Sequence, residues 1–266
     1  MEEIQNWVDP FEGFEYTTDT VFVETAEQAE RLNACGLDPE IFGRFVDPSF
    51  YIGLAIQAGV ESGISAEGNV NMLQALTQHR KALLDEPLQV KGRIVAVTDV
   101  PRGCTIDTDV WFEDARGDRV ITARRLSLKP DRGKKAERGA GDRPPAVIEN
   151  SDLLERVGAH RLTPRQVQDY SSEGNSIHYD MEAANRAGFR APLIGGGMGV
   201  HYLMAWLFEA RGQPEKLDLD IYFRRPIFWD ASFEVAISEP LTAICLLTEE
   251  AGQTKILTEA RINQIM

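Results

Sequence analysis

Apolar positions along the chain fall into two matching series. In the second half Leu217, Leu219, Ile221 and Phe223 alternate with polar residues, and Phe233, Val235 and Ile237 do the same. That period of two predicts strands with one buried face. Two more strand-like runs follow, TAICLLTE and TKILTEARINQI, joined by a turn at Ala251–Gly252. Ahead of them lies a helical stretch over 196–210, where Met198, Tyr202, Leu203, Met204, Trp206, Leu207 and Phe208 cover most of the circumference. A helix apolar nearly all round is a buried one. Shorter helices precede it. Thr163 is a good N-cap with Pro164 at the first helical position of 164–170. Asp180 caps MEAANRA, which stops at Gly188.

The first half repeats the scheme. An apolar helical stretch after Pro48 runs to Val60, and strands are predicted over Leu88–Val97, Gly103–Phe112 and Arg119–Leu128, with a turn at Arg116–Gly117. The halves also end alike, EDARGDRVITARRLSL against EEAGQTKILTEARINQI. Between them PDRGKKAERGAGDRPP is polar, rich in Gly and Pro and almost without apolar residues, so it reads as an exposed linker. The expected organisation is an N-terminal domain over 1–130, a linker over 131–150 and a C-terminal domain over 151–266. One buried helix wrapped by a mostly antiparallel sheet, twice over, is a double hot-dog arrangement, and the class is α+β.

Charge narrows the partners. The 266 residues carry 42 acids against 28 bases, a net −14, and residues 1–50 hold twelve acids against two bases. A surface that negative repels phosphate backbones and anionic lipids, so no nucleic-acid or membrane partner is expected. No run approaches the ~18–20 apolar residues of a membrane-spanning helix, and the acidic start is unlike a signal peptide. Cys35, Cys104 and Cys245 are odd in number and far apart, which suggests free thiols and a cytoplasmic protein. There is no HxxxH, CxxC or GxxxxGK[ST], so neither a metal site nor a nucleotide loop is expected.

The chemistry concentrates in YSSEGNSIHYDMEAANRAGFRAPLIGGGMG, residues 170–199. Glu173 and His178 precede a short helix with Asn175 between them, and a glycine triplet opens the buried helix downstream. A carboxylate and an imidazole can hold one water and trade its protons. Backbone N–H groups at a helix mouth can stabilise charge on a carbonyl oxygen, and glycines there allow close approach.

This stretch resembles the signature of the MaoC-like (R)-specific enoyl-CoA hydratases (hydratase 2). The resemblance rests on Ser171, Glu173, Asn175, Ser176, His178, Asp180, Ala184, Gly188–Phe189, Pro192–Leu193 and Gly195–Met198, with Phe223, Arg225, Pro226 and Phe228 similar to a following strand. The family has Asp where this chain has Glu173, Pro at Ser176, and H-G-M where this chain has Gly195–Gly197. The resemblance implies a dehydratase or hydratase acting on a 2-enoyl-CoA without metal or redox cofactor, coenzyme A entering only as part of the substrate. It also implies that Glu173 and His178 share the catalytic water, that Gly196, with Gly197 as the alternative, holds the thioester oxygen, and that Asn175 orients the pair. The N-terminal half lacks this motif and would shape the acyl pocket.

Other readings stay open. A hot-dog thioesterase using Glu173 as base or nucleophile, and a non-catalytic acyl-thioester-binding subunit, fit much of the same pattern. Arg224 and Arg225 are candidates to bind a substrate carboxylate or a CoA phosphate, which would admit a short carboxylated acyl group such as mesaconyl. Strand alternation turns only one of the two inward. His201, within the buried helix, is expected to be structural, His79 and His160 to lie at the surface, and a homodimer is compatible with the pattern.

Overall fold

The computed structural model describes residues 7–131, 133, 144–171 and 175–266. In the first half β1 (Asp19–Val21), α1 (Thr25–Ala34), α2 (Phe50–Glu61), β2 (Val70–Gln78), β3 (Leu88–Val100), β4 (Gly103–Glu113) and β5 (Arg119–Pro130) follow in order. The second half has β6 (Glu155–Arg161), α3 (Pro164–Ser171), α4 (Met181–Arg186), α5 (Gly196–Arg211), β7 (Leu217–Phe223), β8 (Ser232–Ile237), β9 (Ala243–Glu250) and β10 (Gln253–Ile265). Local signals place these elements well. Thr163 Oγ1 accepts from Gln166 N at 3.3 Å and Asp180 Oδ1 from Ala183 N at 2.6 Å, so both expected caps form. Ala251 and Gly252 take positive φ of 51° and 74°, which the tight β9–β10 hairpin requires.

All ten strands join one antiparallel sheet in the order β1-β3-β4-β5-β2-β7-β10-β9-β8-β6. Read outward from the β2–β7 seam, each half gives the same succession, which is the repeat seen in the sequence. The seam pairs Leu73 with Tyr222 through Gln78 with Leu217. Helices α2 and α5 pack on one side of the sheet and touch each other. The main apolar core runs through both halves, and a small second cluster is formed by Ala236, Cys245 and Leu247. No helix among the described residues is long and apolar enough to cross a membrane.

Three strands escape the sequence reading, β2 and the edge strands β1 and β6. In β2 the buried positions are Gln74, Leu76 and Gln78, so polar side chains occupy two of the inward places and the apolar alternation disappears. In β6 the residues ERVGAHR are half-buried at best, because an edge strand need not carry an apolar face.

Helix α5 is enclosed as its composition requires. Met198, Leu203, Met204 and Leu207 are fully buried, Phe208 packs on Phe42 with ring centroids 4.9 Å apart, and Gly212 ends the helix at φ 66°. Phe208→Ala is expected to cost about 3–5 kcal/mol through lost burial and the cavity left behind. A urea-unfolding comparison checks this, and a loss under about 1 kcal/mol would mean that the two halves do not share this packing.

Candidate active site

His178 closes the short helical turn Ser176–His178, whose start Asn175 caps by accepting from Ile177 N at 3.3 Å. The ring is held from one side. Its Nδ1 lies 2.7 Å from Leu193 O, so Nδ1–H donates to that carbonyl and Nε2 keeps its lone pair. The segment carrying Leu193 is itself fixed, since Leu193 N donates to Ile177 O at 3.4 Å and Ile194 N to Ile227 O at 2.8 Å. Burial pushes the His178 pKa down, only partly opposed by the hydrogen bond to Leu193. The imidazole is therefore neutral near pH 7, with one ring nitrogen ready to take a proton.

That nitrogen faces the start of α5. A Cβ placed on Gly195 would lie 3.7 Å from His178 Nε2. Gly195 is the N-cap of this sixteen-residue helix and contributes no capping side chain, and no acidic residue sits in the first turn. The first N–H groups of a helix have no partner within it and carry the positive end of its dipole. The glycines are sterically required on one side. A Cβ on Gly196 would come within 2.9 Å of the Phe223 ring, whereas one on Gly197 would face the Tyr170 hydroxyl at 3.7 Å. An imidazole base and an uncapped helix mouth thus flank one spot.

A buried polar chain backs this mouth. Tyr170 OH is 2.8 Å from His201 Nε2, and His201 Nδ1 is 2.7 Å from Asp47 Oδ2 and 2.6 Å from Ser49 Oγ. Asp47 Oδ1 in turn accepts from Ser49 N and Ser49 Oγ. Burial raises the Tyr170 pKa, so its hydroxyl stays protonated and donates to His201. His201 is buried within α5, and two of its partners, Asp47 and Ser49, come from the first half of the chain. The only signal in the sequence was a histidine inside an otherwise apolar helix, and nothing there named Asp47 or Tyr170.

The remaining expected residues scatter. Glu173 lies outside the described residues, as does most of the 131–150 linker. Asn175 is exposed and engaged as a local cap. Arg224 does not face the His178 region. It pairs with buried Glu259 at 2.6 Å, donates to Pro144 O and Pro145 O, and lies over the Tyr222 ring, fastening the later part of the linker onto the sheet. Glu259 also accepts from Val147 N and Ile148 N. Arg225 is exposed beyond the end of β7. His79 is exposed, while His160 is half-buried against Tyr202 and Phe233. Two shallow recesses, about 410 and 470 Å³, are lined by residues of the strands and include none of the His178 group.

The chain matches no protein-family model and no curated protein. Solved structures do share its architecture. HtdX from Mycobacterium tuberculosis superposes with a TM-score of 0.73 at 18% identity, over 92% of this chain and 98% of that one. A MaoC-like dehydratase from Phytophthora capsici gives 0.69 at 18% identity, over 94% and 96%. Another Mycobacterium tuberculosis protein, described as having a double hot-dog fold, gives 0.64 at 12% identity, over 94% and 95%. The fold is a double hot dog. Thioesterases are also among the structures sharing it. In this double hot dog the His178 group belongs to the second half alone, at the mouth of that half's central helix.

Proposed function

We propose that the protein binds a 2-enoyl-CoA or 3-hydroxyacyl-CoA thioester and adds or removes water across its C2–C3 bond. The observation carrying this reading is His178 Nε2, free to accept a proton and aimed at the uncapped glycine start of α5. With the thioester oxygen on the Gly196 N–H, or on that of Gly197, negative charge developing as an enolate meets the helix N-terminus. His178 and Glu173 then divide the work on one water. One removes a proton as oxygen attacks C3, and the other delivers a proton to C2, so no net proton is gained or lost. Run backwards, the same steps expel water from a 3-hydroxyacyl thioester.

Loss of enone absorbance from crotonyl-CoA without release of free thiol tests this assignment. Thiol release instead would make the protein a thioesterase, and binding without either signal would make it a carrier.

The pH dependence follows from the lowered pKa of His178. With His178 as the group that removes the proton, the working form is the neutral ring, and protonation disables it. Because burial depresses the folded-state value, the acid limb of kcat/KM should fall below the ordinary histidine value of about 6.5. Above that pH the ring is neutral whether folded or not, so its burial carries no ionisation cost there. As pH falls, the unfolded chain takes up the proton first and this share of stability is lost. A pH–rate profile with its acid limb above about 6.5 would contradict the assignment.

A further inference from the structure

Arg125 sits in the wrong place for a surface arginine. On β5 its neighbour Arg124 faces outward, bound to Asp107 and exposed, whereas Ala123 and Ser127 are fully buried on the other face. Arg125 belongs to that inner face. Its register partners are buried Gln74 on β2 and buried Thr108 on β4. It lies near Tyr16, whose ring is wedged against Gly59 of α2 and Gly92 of β3. Yet the residue keeps some solvent exposure.

Among the described residues no carboxylate or hydrogen-bond acceptor meets this guanidinium. Polar groups at neighbouring positions on this inner face are also incomplete. Gln74 Nε2 donates to Ala75 O and Arg124 O, while Gln74 Oε1 and Ser127 Oγ are buried without partners. A guanidinium cannot shed its proton, and enclosed charges are normally paired. Burial working against its charge points the same way. An inward cation beside a partnerless hydroxyl and amide oxygen has the makings of half an anion site.

Its position says which anion. Gln74 pairs across the seam with Ile221, and Phe223, on the same face of β7, touches Gly196. Strand β5 is thus two strand spacings, roughly 10 Å, from the strand that abuts the helix mouth. We infer that Arg125 binds a second carboxylate on the acyl chain, so that the preferred substrates are thioesters of dicarboxylic acids. This rests on the thioester reading above. It gives the N-terminal half a specificity role: the guanidinium clamps the carboxylate in two-pronged fashion, Ser127 adds a hydroxyl, and Gln74 Oε1 steadies the guanidinium's other edge. It also replaces Arg224 and Arg225 as the acid-reading residues, since neither turns toward this space.

Binding of saturated, chain-matched pairs tests the inference without depending on turnover: succinyl-CoA against butyryl-CoA, adipoyl-CoA against hexanoyl-CoA, suberoyl-CoA against octanoyl-CoA, by titration calorimetry. At least one diacid should bind about 10- to 100-fold tighter than its monoacid partner, the range for a charge-assisted bond. Arg125→Met should abolish that ratio and Arg125→Lys should keep part of it. Arg125→Met should melt no lower than the parent protein, since it removes an unpaired enclosed charge. Absence of diacid preference in every pair, its survival in Arg125→Met, or weakened binding of free coenzyme A by that variant would each overturn the inference. Crotonyl-CoA hydration by the parent protein is read separately. If it fails while the diacid preference stands, the water-addition mechanism falls and the carboxylate site remains.

Discussion

Replacing His178 by alanine should lower crotonyl-CoA hydration by about 10²- to 10⁴-fold, the usual contribution of a positioned acid–base group. The protein should stay folded. The side chain is half-buried and its hydrogen bond to Leu193 O, the one it makes among the described residues, is of a kind worth about 1 kcal/mol, while the neighbouring Leu193–Ile177 and Ile194–Ile227 links survive. A matching melting curve together with collapsed turnover therefore separates chemistry from stability. Glu173→Gln is the companion variant, and it tests a role assigned from sequence alone. Unaltered turnover in His178→Ala would remove the imidazole from the mechanism.

At the helix mouth the informative comparison is Gly196→Pro with Gly196→Ala. Both add a Cβ where the Phe223 ring lies only 2.9 Å away, so both incur the same crowding, which costs about 1–3 kcal/mol of stability. Only proline deletes the N–H. The first helical position tolerates proline, and Gly195 already has the extended φ, ψ of −65°, 150° that a residue before proline favours. If Gly196 N–H holds the thioester oxygen, Gly196→Pro should turn over about 10²- to 10³-fold more slowly than Gly196→Ala. Equal rates in the two variants would shift the donor to Gly197 or exclude an amide donor at this turn.

Much of the architecture is written locally. The caps at Thr163 and Asp180, the tight turn at Ala251–Gly252, the enclosed helix around Met198–Phe208 and the paired halves all follow from nearest-neighbour chemistry and periodicity. These rules act over a few residues, so a linear reading captures them. Strand β2 is the instructive failure. Its inward Gln74 and Gln78 are acceptable only because neighbouring segments of the backbone supply acceptors, Arg124 O to Gln74 and Pro214 O with Glu215 O to Gln78.

The amino-acid sequence by itself determined the α+β class, the tandem repeat, and the segment in which an imidazole and a glycine helix mouth would be found. Tertiary structure alone decided which arginine turns inward, that His201 reaches back to Asp47 across the two halves, and that Leu193 O orients the His178 ring. The physical reason is range. Periodicity and capping are settled among residues a turn apart, whereas the partner of a buried charge is set by strand order and register, which bring together positions as distant as 47 and 201. Whether an arginine faces solvent or the inner side of the sheet depends on that register, as Arg124 and Arg125 demonstrate side by side.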